Sequence, residues 1–469
     1  MDNGITGDGK VEFAKTASVT ATLDKTTIVA DSVKANGAKL NLIIANGTEE
    51  GTYDFVKAND FDDKFDIAKN SLYNILKGKS EVPDASLGQL VLEKKSSEEI
   101  ADEMGVNQNV AEAINAVTAG DSKSNKLFNE ISDDLTTMLQ SGDPTQIKEA
   151  IDSIKAMSAE ETPVVYRTQI ETVHQVFGAI STRLSSGSVT AGNEGLASGD
   201  AEIGSVWAKV LRNRARMDDD TTHNVKGFEA KSNGIALGFE RFVSKDVKLG
   251  FGYGYTKSDI DPDSRDIDVW THTAFAYGEY KPSNWFVNGA FSWNWSHYDE
   301  KKRVLGRMVK GDYGVDTIAA QMMTGYDFNI ESLTLTPEVG ARYVHFTQES
   351  HDDGLGTHFS GDKSDTFTGV IGGRIGKRFT LNNGIALKPE VRGALTYDFA
   401  NDNANYTVTM ANGASYIVDG RGMKRMGGEF GVGLTAEFYD AMDVTASYEG
   451  RIRQNYYDNT GMLSIKYNF

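Results

Sequence analysis

From residue 202 to the carboxy terminus, apolar and polar positions alternate with a period of two, the pattern of strands whose two faces meet different surroundings. In 245–257, Val247, Leu249, Phe251, Tyr253 and Tyr255 share one face, and Lys248, Gly250, Gly252, Gly254 and Thr256 share the other. In 229–242, Ile235, Leu237 and Phe239 oppose Gly234, Ala236, Gly238 and Glu240. In 284–296, Trp285, Val287, Phe291, Trp293 and Trp295 oppose Asn288, Ala290, Ser292 and Asn294. Twelve such segments follow one another, at 202–212, 229–242, 245–257, 269–281, 284–297, 314–328, 332–347, 365–379, 384–399, 427–439, 442–453 and 460–469.

The connections sort as strictly as the strands. Short ones fall at 243–244, 282–283, 329–331, 380–383 and 440–441, and they alternate with polar stretches at 213–228, 258–268, 298–313, 348–364, 400–426 and 454–459. Tight turns on one rim, long loops on the other, an even strand count and aromatics near strand ends together predict a mainly β fold, a 12-stranded antiparallel transmembrane β-barrel. The last strand, MLSIKYNF, puts Leu463, Ile465, Tyr467 and the terminal Phe469 on one face.

Upstream the period changes to 3.6. In SAEETPVVYRTQIETVHQVFGAISTRLS (158–185), Val173, Phe177, Ile180 and Leu184 form one stripe, and Thr162-Pro163 supplies a start signal. A helix over 163–185 would be about 33 Å long, enough to cross a bilayer inside a barrel. Inward glycines at Gly234, Gly238, Gly250, Gly252, Gly254, Gly431 and Gly433 are expected to make room for it, with Phe177 among the packing residues. The inward charges Glu240, Glu338, Arg342, Glu390, Arg392, Glu429 and Glu437 would pair with Arg167, Glu171, His174 or Arg183 of the helix, or with one another.

Further upstream, 96–104, 106–117, 121–140 and 144–157 read as helices, the last capped by Asp143. Residues 10–60 hold short β-type runs such as AKLNLIIANG (38–47), which read equally as the last rungs of a β-solenoid or as a small β cap. The expected domains are 1–60, a β segment; 61–157, a helical junction; 158–200, the pore helix and linker; and 201–469, the barrel.

Composition sharpens the boundary. Residues 1–200 carry net charge −14 of the total −19, whereas 37 of the 46 aromatics lie beyond residue 200, which places a division near Asp200. A chain this acidic argues against a nucleic-acid partner. The absence of cysteine excludes disulfides and thiolate chemistry. Asp259, Asp261 and Asp263 begin like a calcium loop, but Ser264 and Trp270 stand where glycine and glutamate belong. His351, Asp352, Asp353 and His358 read as an ordinary polar loop, GFGYGY lacks the phosphate-loop spacing, and no GxSxG occurs. No catalytic, cofactor or metal site is therefore expected. The start, MDNGITGDGK, carries no visible signal peptide, which suits a fragment or a mature form.

The order of features carries a resemblance. A helix ending FGAISTRL (177–184), a soft linker, GSVWAKVL (204–211) as first strand, twelve strands and a terminal Phe resemble the translocator unit of monomeric type Va autotransporters. NQNVAEAINAV (107–117) and AMSAEETPVVYRTQ (156–169) are similar to the helical region before the barrel in that family. The resemblance implies a barrel in the bacterial outer membrane that exports its own passenger to the cell surface and anchors it, as a monomer without a cofactor. It also implies outer-membrane lipid and the barrel-assembly machinery as partners, with Tyr467 and Phe469 as the assembly signal. A porin-like channel with a soluble amino-terminal domain, or an adhesin fragment, is the alternative.

Overall fold

The computed structural model describes residues 4–23, 28–62, 64–77, 87–158, 162–188, 204–219, 226–262, 265–381, 384–401, 405–419, 424–438 and 441–469. Asp263, Ser264 and the linker around Asp200 lie outside these residues.

The amino-terminal strands pair in parallel. Ser18–Thr22 lies beside Lys39–Ile43, which continues to Asp66–Ile67; Ile28–Lys34 is paired by Ile5–Thr6 and Lys10–Glu12 on one side and by Gly51–Asp62 on the other. Parallel runs joined by short connections make a stack, with Val33, Leu40, Leu42, Ile44 and Val56 buried between its sheets. The stack ends in antiparallel pairing of Gly51–Asp62 with Leu87–Lys94, and of the latter with Tyr73–Lys77.

Four helices follow: α1 (Ser97–Met104), α2 (Gln108–Val117), α3 (Lys126–Leu139) and α4 (Pro144–Met157). Ser96 and Glu99 form a reciprocal capping box on α1, Asn107 and Asn125 cap α2 and α3, and Asp143 caps α4 with Pro144 at its first position. Gly105, at φ 64°, closes α1 in the left-handed region that glycine enters freely. Gln140 pins the end of α3 to the stack, accepting from the Ile44 amide and donating to its carbonyl, both at 2.8 Å.

Helix α5 (Thr162–Ser188) leads into twelve barrel strands: β1 (Gly204–Met217), β2 (Phe228–Ser244), β3 (Val247–Pro262), β4 (Arg265–Tyr280), β5 (Trp285–Val304), β6 (Arg307–Tyr326), β7 (Leu333–Gln348), β8 (Asp362–Lys377), β9 (Ala386–Asn401), β10 (Met426–Phe438), β11 (Met442–Arg453) and β12 (Tyr456–Asn468). Each pairs antiparallel with its neighbours, and β12 returns to β1 in register Trp207↔Lys466. The Gly204 amide donates to the Phe469 carbonyl at 3.0 Å and the Phe469 amide donates back at 2.9 Å, so the seam closes to the last residue. Phe251, Trp293, Ile371 and Leu395 of the outward face are exposed, as a lipid-facing surface requires, while alternate residues point inward and are covered.

The long connections differ from expectation. Residues 298–313 are not a loop but strand on both sides of a turn at Leu305 and Gly306, and 454–459 reduces to a turn at Asn455. Residues 258–268 are strand up to Pro262 and again from Arg265. The hydrogen-bond ladder continues above the apolar band, because strand pairing in water needs no lipid-facing side chains. Charge in Lys301, Lys302 and Arg303 marks departure from the membrane, not the end of the strand.

The long connections 348–364 and 400–426 contribute His351–Asp352, His358–Phe359, Asn405–Thr409 and Ser415–Asp419 to a small four-stranded sheet. These hairpins form a platform for the amino-terminal part. Val304, Val309, Leu355, Phe359, Val408, Met410 and Val418 share one apolar core with α1–α4 and the parallel stack. Polar links frame it: Asn412 donates to the carbonyls of Ala116 (3.0 Å) and Gly120 (2.9 Å), Asn125 to that of Leu355 (2.7 Å), and the Leu305 amide to Ser153 (3.1 Å).

Candidate functional site in the barrel lumen

Helix α5 occupies the lumen, its amino-terminal end at the long-hairpin rim and its carboxy-terminal end at the rim of short turns. Its apolar stripe, Val173, Phe177, Ile180 and Leu184, packs on Trp207, Phe275, Tyr277, Ala319 and Val344 of the wall. Ala179 sits against Leu211 and Met462, and the buried Lys209 ammonium donates to the Ala179 carbonyl at 2.9 Å.

The inward glycines have a different neighbour from the one the sequence suggested. A Cβ on Gly238 would lie 2.4 Å from the Trp207 indole, one on Gly250 2.3 Å from the Tyr277 ring, and one on Gly252 2.4 Å from the Phe275 ring and 2.3 Å from the Leu237 carbonyl oxygen. Each of these rings lies directly across the ladder from its glycine: Trp207↔Gly238, Tyr277↔Gly250, Phe275↔Gly252. The missing side chains let three aromatic rings fold flat along the wall, and the helix rests on the rings rather than on the glycines. The Trp207 indole N–H donates to the Tyr277 hydroxyl (2.8 Å), which donates to Glu240 (2.7 Å) and fixes two of the plates. Gly234 faces Thr256 and Leu211 in the same way, at 2.8 and 3.1 Å, whereas Gly254 meets nothing closer than 3.6 Å.

The other faces of the helix are polar and bonded. Gln169, fully buried, donates to Ser296 (3.0 Å) and Tyr298 (2.6 Å) and accepts from Thr317 (2.9 Å). Arg342 contacts His174 Nδ1 at 2.8 Å and pairs with Glu429 at 3.0 Å. Arg451 donates to the His174 carbonyl at 3.0 Å and pairs with Asp458 at 3.1 Å. Tyr456 donates to Glu171 at 3.2 Å.

Most of the inward charges named from the sequence pair with barrel partners. Glu338 meets Arg374 at 2.6 Å, Glu390 lies 3.9 Å from the same guanidinium, Arg392 pairs with Glu449, and Glu437 with Lys388. Of these charges Arg342 reaches the helix. Arg183 belongs to α5, but its side chain lies outside the described residues. Tyr467 and Phe469 face outward and are exposed, and the Phe469 ring lies 6.4 Å from that of Phe239 across the seam.

Sequence reasoning did not single out Phe275, Tyr277, Gln169, Arg451 or Gly178. At Gly178 a Cβ would lie 2.4 Å from the Glu449 carboxylate, so the helix backbone runs close to the wall there. Strand β4 inverts the usual pattern, with Ala274, Ala276 and Gly278 outward and Phe275 and Tyr277 buried inside. The legible part was a run of glycines on β3 followed by alternate aromatics on β4; that Phe275 meets Gly252 and Tyr277 meets Gly250 is set by register.

An apolar-coated closed barrel with a polar lumen spans a membrane by its strands, and a helix threaded through that lumen makes it an occluded outer-membrane barrel rather than an open channel. Residues 206–449 match the family model described as the autotransporter beta-domain, and the chain belongs to that family. It is 24% identical over 308 residues to outer membrane protein A of Rickettsia conorii, covering 60% of this chain and 15% of that protein. It is 21% identical over 497 residues to outer membrane protein B of Rickettsia prowazekii, covering 98% of this chain and 29% of that protein. The chain thus spans less than a third of the length of these relatives. Among solved structures, the translocator domain of the autotransporter NalP from Neisseria meningitidis aligns with TM-score 0.49 at 15% identity, over 64% of this chain and 98% of that one.

Proposed function

We propose that residues 204–469 carry the upstream chain across the outer membrane, and that α5 is the part of that chain left in the lumen when export ends. Residues 5–157 are then the end of the passenger, displayed at the cell surface and anchored by the barrel. The single observation that carries this reading is the course of the chain. It runs from a folded segment seated on the long hairpins, through the lumen as α5, to a first strand that starts at the rim of short turns. Divisions near residues 157 and 200 suit the same course, whereas the expected one near residue 60 falls inside the strand Gly51–Asp62, and β pairing runs on to Lys94 before α1 begins.

The role is transport and anchoring, not catalysis, by a monomer whose single chain closes the barrel. The exposed Tyr467 and Phe469 at the end of the closing strand suit recognition by the barrel-assembly machinery, since both side chains face outward.

The absence of cysteine makes the test direct. Single cysteines at Lys123 and at Lys245 are treated in intact cells with a membrane-impermeant maleimide. Lys123→Cys should react at once, and Lys245→Cys only after the outer membrane is permeabilised. Protection of Lys123→Cys in intact cells would sink the reading.

A further inference from the structure

Two cavities, of ≈ 70 and ≈ 30 Å³, each large enough for water, follow the lumen wall on the side away from the aromatic plates. The first lies between Phe177, Gly178 and Ser181 of the helix and Glu338, Arg374 and Arg392 of the wall. The second lies between Glu171 and His174 of the helix and Thr366, Thr396 and Asp398 of the wall. Both end on the same three side chains, Arg342, Glu429 and Arg451.

Those three close the lumen from wall to helix. Arg342 Nη1 donates to Glu429 Oε1 at 3.0 Å, and Arg451 Nε lies 3.7 Å from the same oxygen. On the helix side both guanidiniums reach His174, one at its ring nitrogen (2.8 Å) and the other at its carbonyl (3.0 Å). Either side of this barrier the lining is rich in charged and hydroxyl groups. Such walls hold water, because a dry cavity would leave polar groups unsatisfied.

We propose that the folded barrel keeps a path for small hydrated inorganic ions beside its helix, and that the Arg342–Glu429–Arg451 cluster is the gate on that path. Closing a pore by charge pairing sets both its conductance and its ion preference. Removing Arg342 joins the cavities. Neutralising Glu429 leaves two guanidiniums facing the path, which then favours anions.

The test uses the full chain in planar lipid bilayers with potassium chloride. Arg342→Ser should raise single-channel conductance several-fold over the unmodified protein. Glu429→Gln should shift the reversal potential, under a salt gradient, toward that of chloride. A second form carries Ala179→Cys and Leu211→Cys, two residues of one buried cluster joining helix and wall, so that once formation of the disulfide is verified the helix is held in place while Arg342→Ser is measured again. The increase should persist in the locked barrel. Conductance unchanged by Arg342→Ser, or an increase that vanishes when the helix is locked, would overturn the gate. The maleimide readout of export is independent of both results.

Discussion

Replacing Gly252 by alanine tests the aromatic plates that seat the helix. The added Cβ would lie 2.3 Å from the Leu237 carbonyl oxygen and 2.4 Å from the Phe275 ring. A ring at the end of a side chain can swing aside, but Leu237 O belongs to the β2–β3 ladder and cannot move without breaking it. Overpacking of this kind costs about 1–3 kcal/mol, and backbone contact places this case toward the upper end. Gly254, two residues on and facing the same lumen, is the control: its nearest atoms stand at 3.6, 3.7 and 3.9 Å, ordinary contact distances. There alanine should be neutral or stabilise the strand by roughly 0.5–1 kcal/mol, since glycine is the poorer strand residue. The pair should therefore differ by about 2–4 kcal/mol. At 1.4 kcal/mol per decade, that is roughly 30- to 1000-fold in the unfolding equilibrium. Urea titration of the detergent-folded barrel, followed by its tryptophan fluorescence and by folded and unfolded gel bands, reads this directly. Adding Phe275→Leu to Gly252→Ala should recover only the ring's share of the loss. Equal midpoints for the two alanine variants would refute the claim that Gly252 exists for close approach.

Three further outcomes follow from other contacts. Phe177→Ala, which empties a fully buried site against Trp207 and Phe275, should cost about 3–5 kcal/mol at most and free α5 to protease before the barrel melts; simultaneous loss of both would contradict a separately seated helix. Val408→Asp places a charge in the core shared by hairpin and helices and should make residues 97–157 protease-sensitive while the barrel still resists; unaltered digestion would show that the platform holds nothing. His351 is stacked between Tyr313 at 4.3 Å and Phe359 at 4.9 Å, and burial, only partly opposed by Glu300 and reinforced by Lys302, holds its imidazole below the ordinary range. A depressed histidine stabilises fully above its unfolded pKa, and that contribution is lost as pH falls through the folded value, so the hairpin sheet should loosen on acidification below about pH 6.5. His351→Phe should abolish this acid sensitivity in hydrogen exchange of 405–419, and an unchanged pH profile would refute it.

The barrel was legible because its lipid face must be apolar at every second residue, and no other medium imposes that on twelve successive strands. Helix α5 was legible from its stripe, falling at Thr162–Ser188 against an expected 163–185. Three things were hidden. The strand extensions above the membrane lose the apolar signal while keeping the ladder, so 298–313 read as a loop. Phe275 and Tyr277 point into the lumen while Ala274 and Ala276 face out, which contradicts the rule that the apolar face carries the bulk. Arg451 and Gln169 are ordinary polar residues whose partners lie 277 residues away at His174 and 148 away at Thr317, separations that periodicity does not report. The glycine lane was visible, but its occupant depended on cross-strand register, which a single strand's sequence leaves open.

On the proposed function, the division of charge pairs bears on how such a lumen would serve both a moving chain and a resting helix. Glu338 with Arg374, Arg392 with Glu449, Lys388 with Glu437 and Lys248 with Glu279 are satisfied wall to wall. A lumen emptied of α5 therefore keeps these pairs bonded, and water can take up the rest of its polar lining. A chain passing through meets a surface whose ions are already paired, with few groups left to bind it tightly. The seated helix, in contrast, is held by a small set of specific contacts: the three aromatic plates, Lys209 to the Ala179 carbonyl, Gln169 to Ser296, Tyr298 and Thr317, and two arginines to His174. Only a segment with apolar residues at the spacing of 173, 177, 180 and 184, and with Gln169 and His174 on its other faces, satisfies all of them at once. The wall is thus complementary to this one stretch of the chain, which is the selectivity that stopping at a fixed point would require under the proposed export.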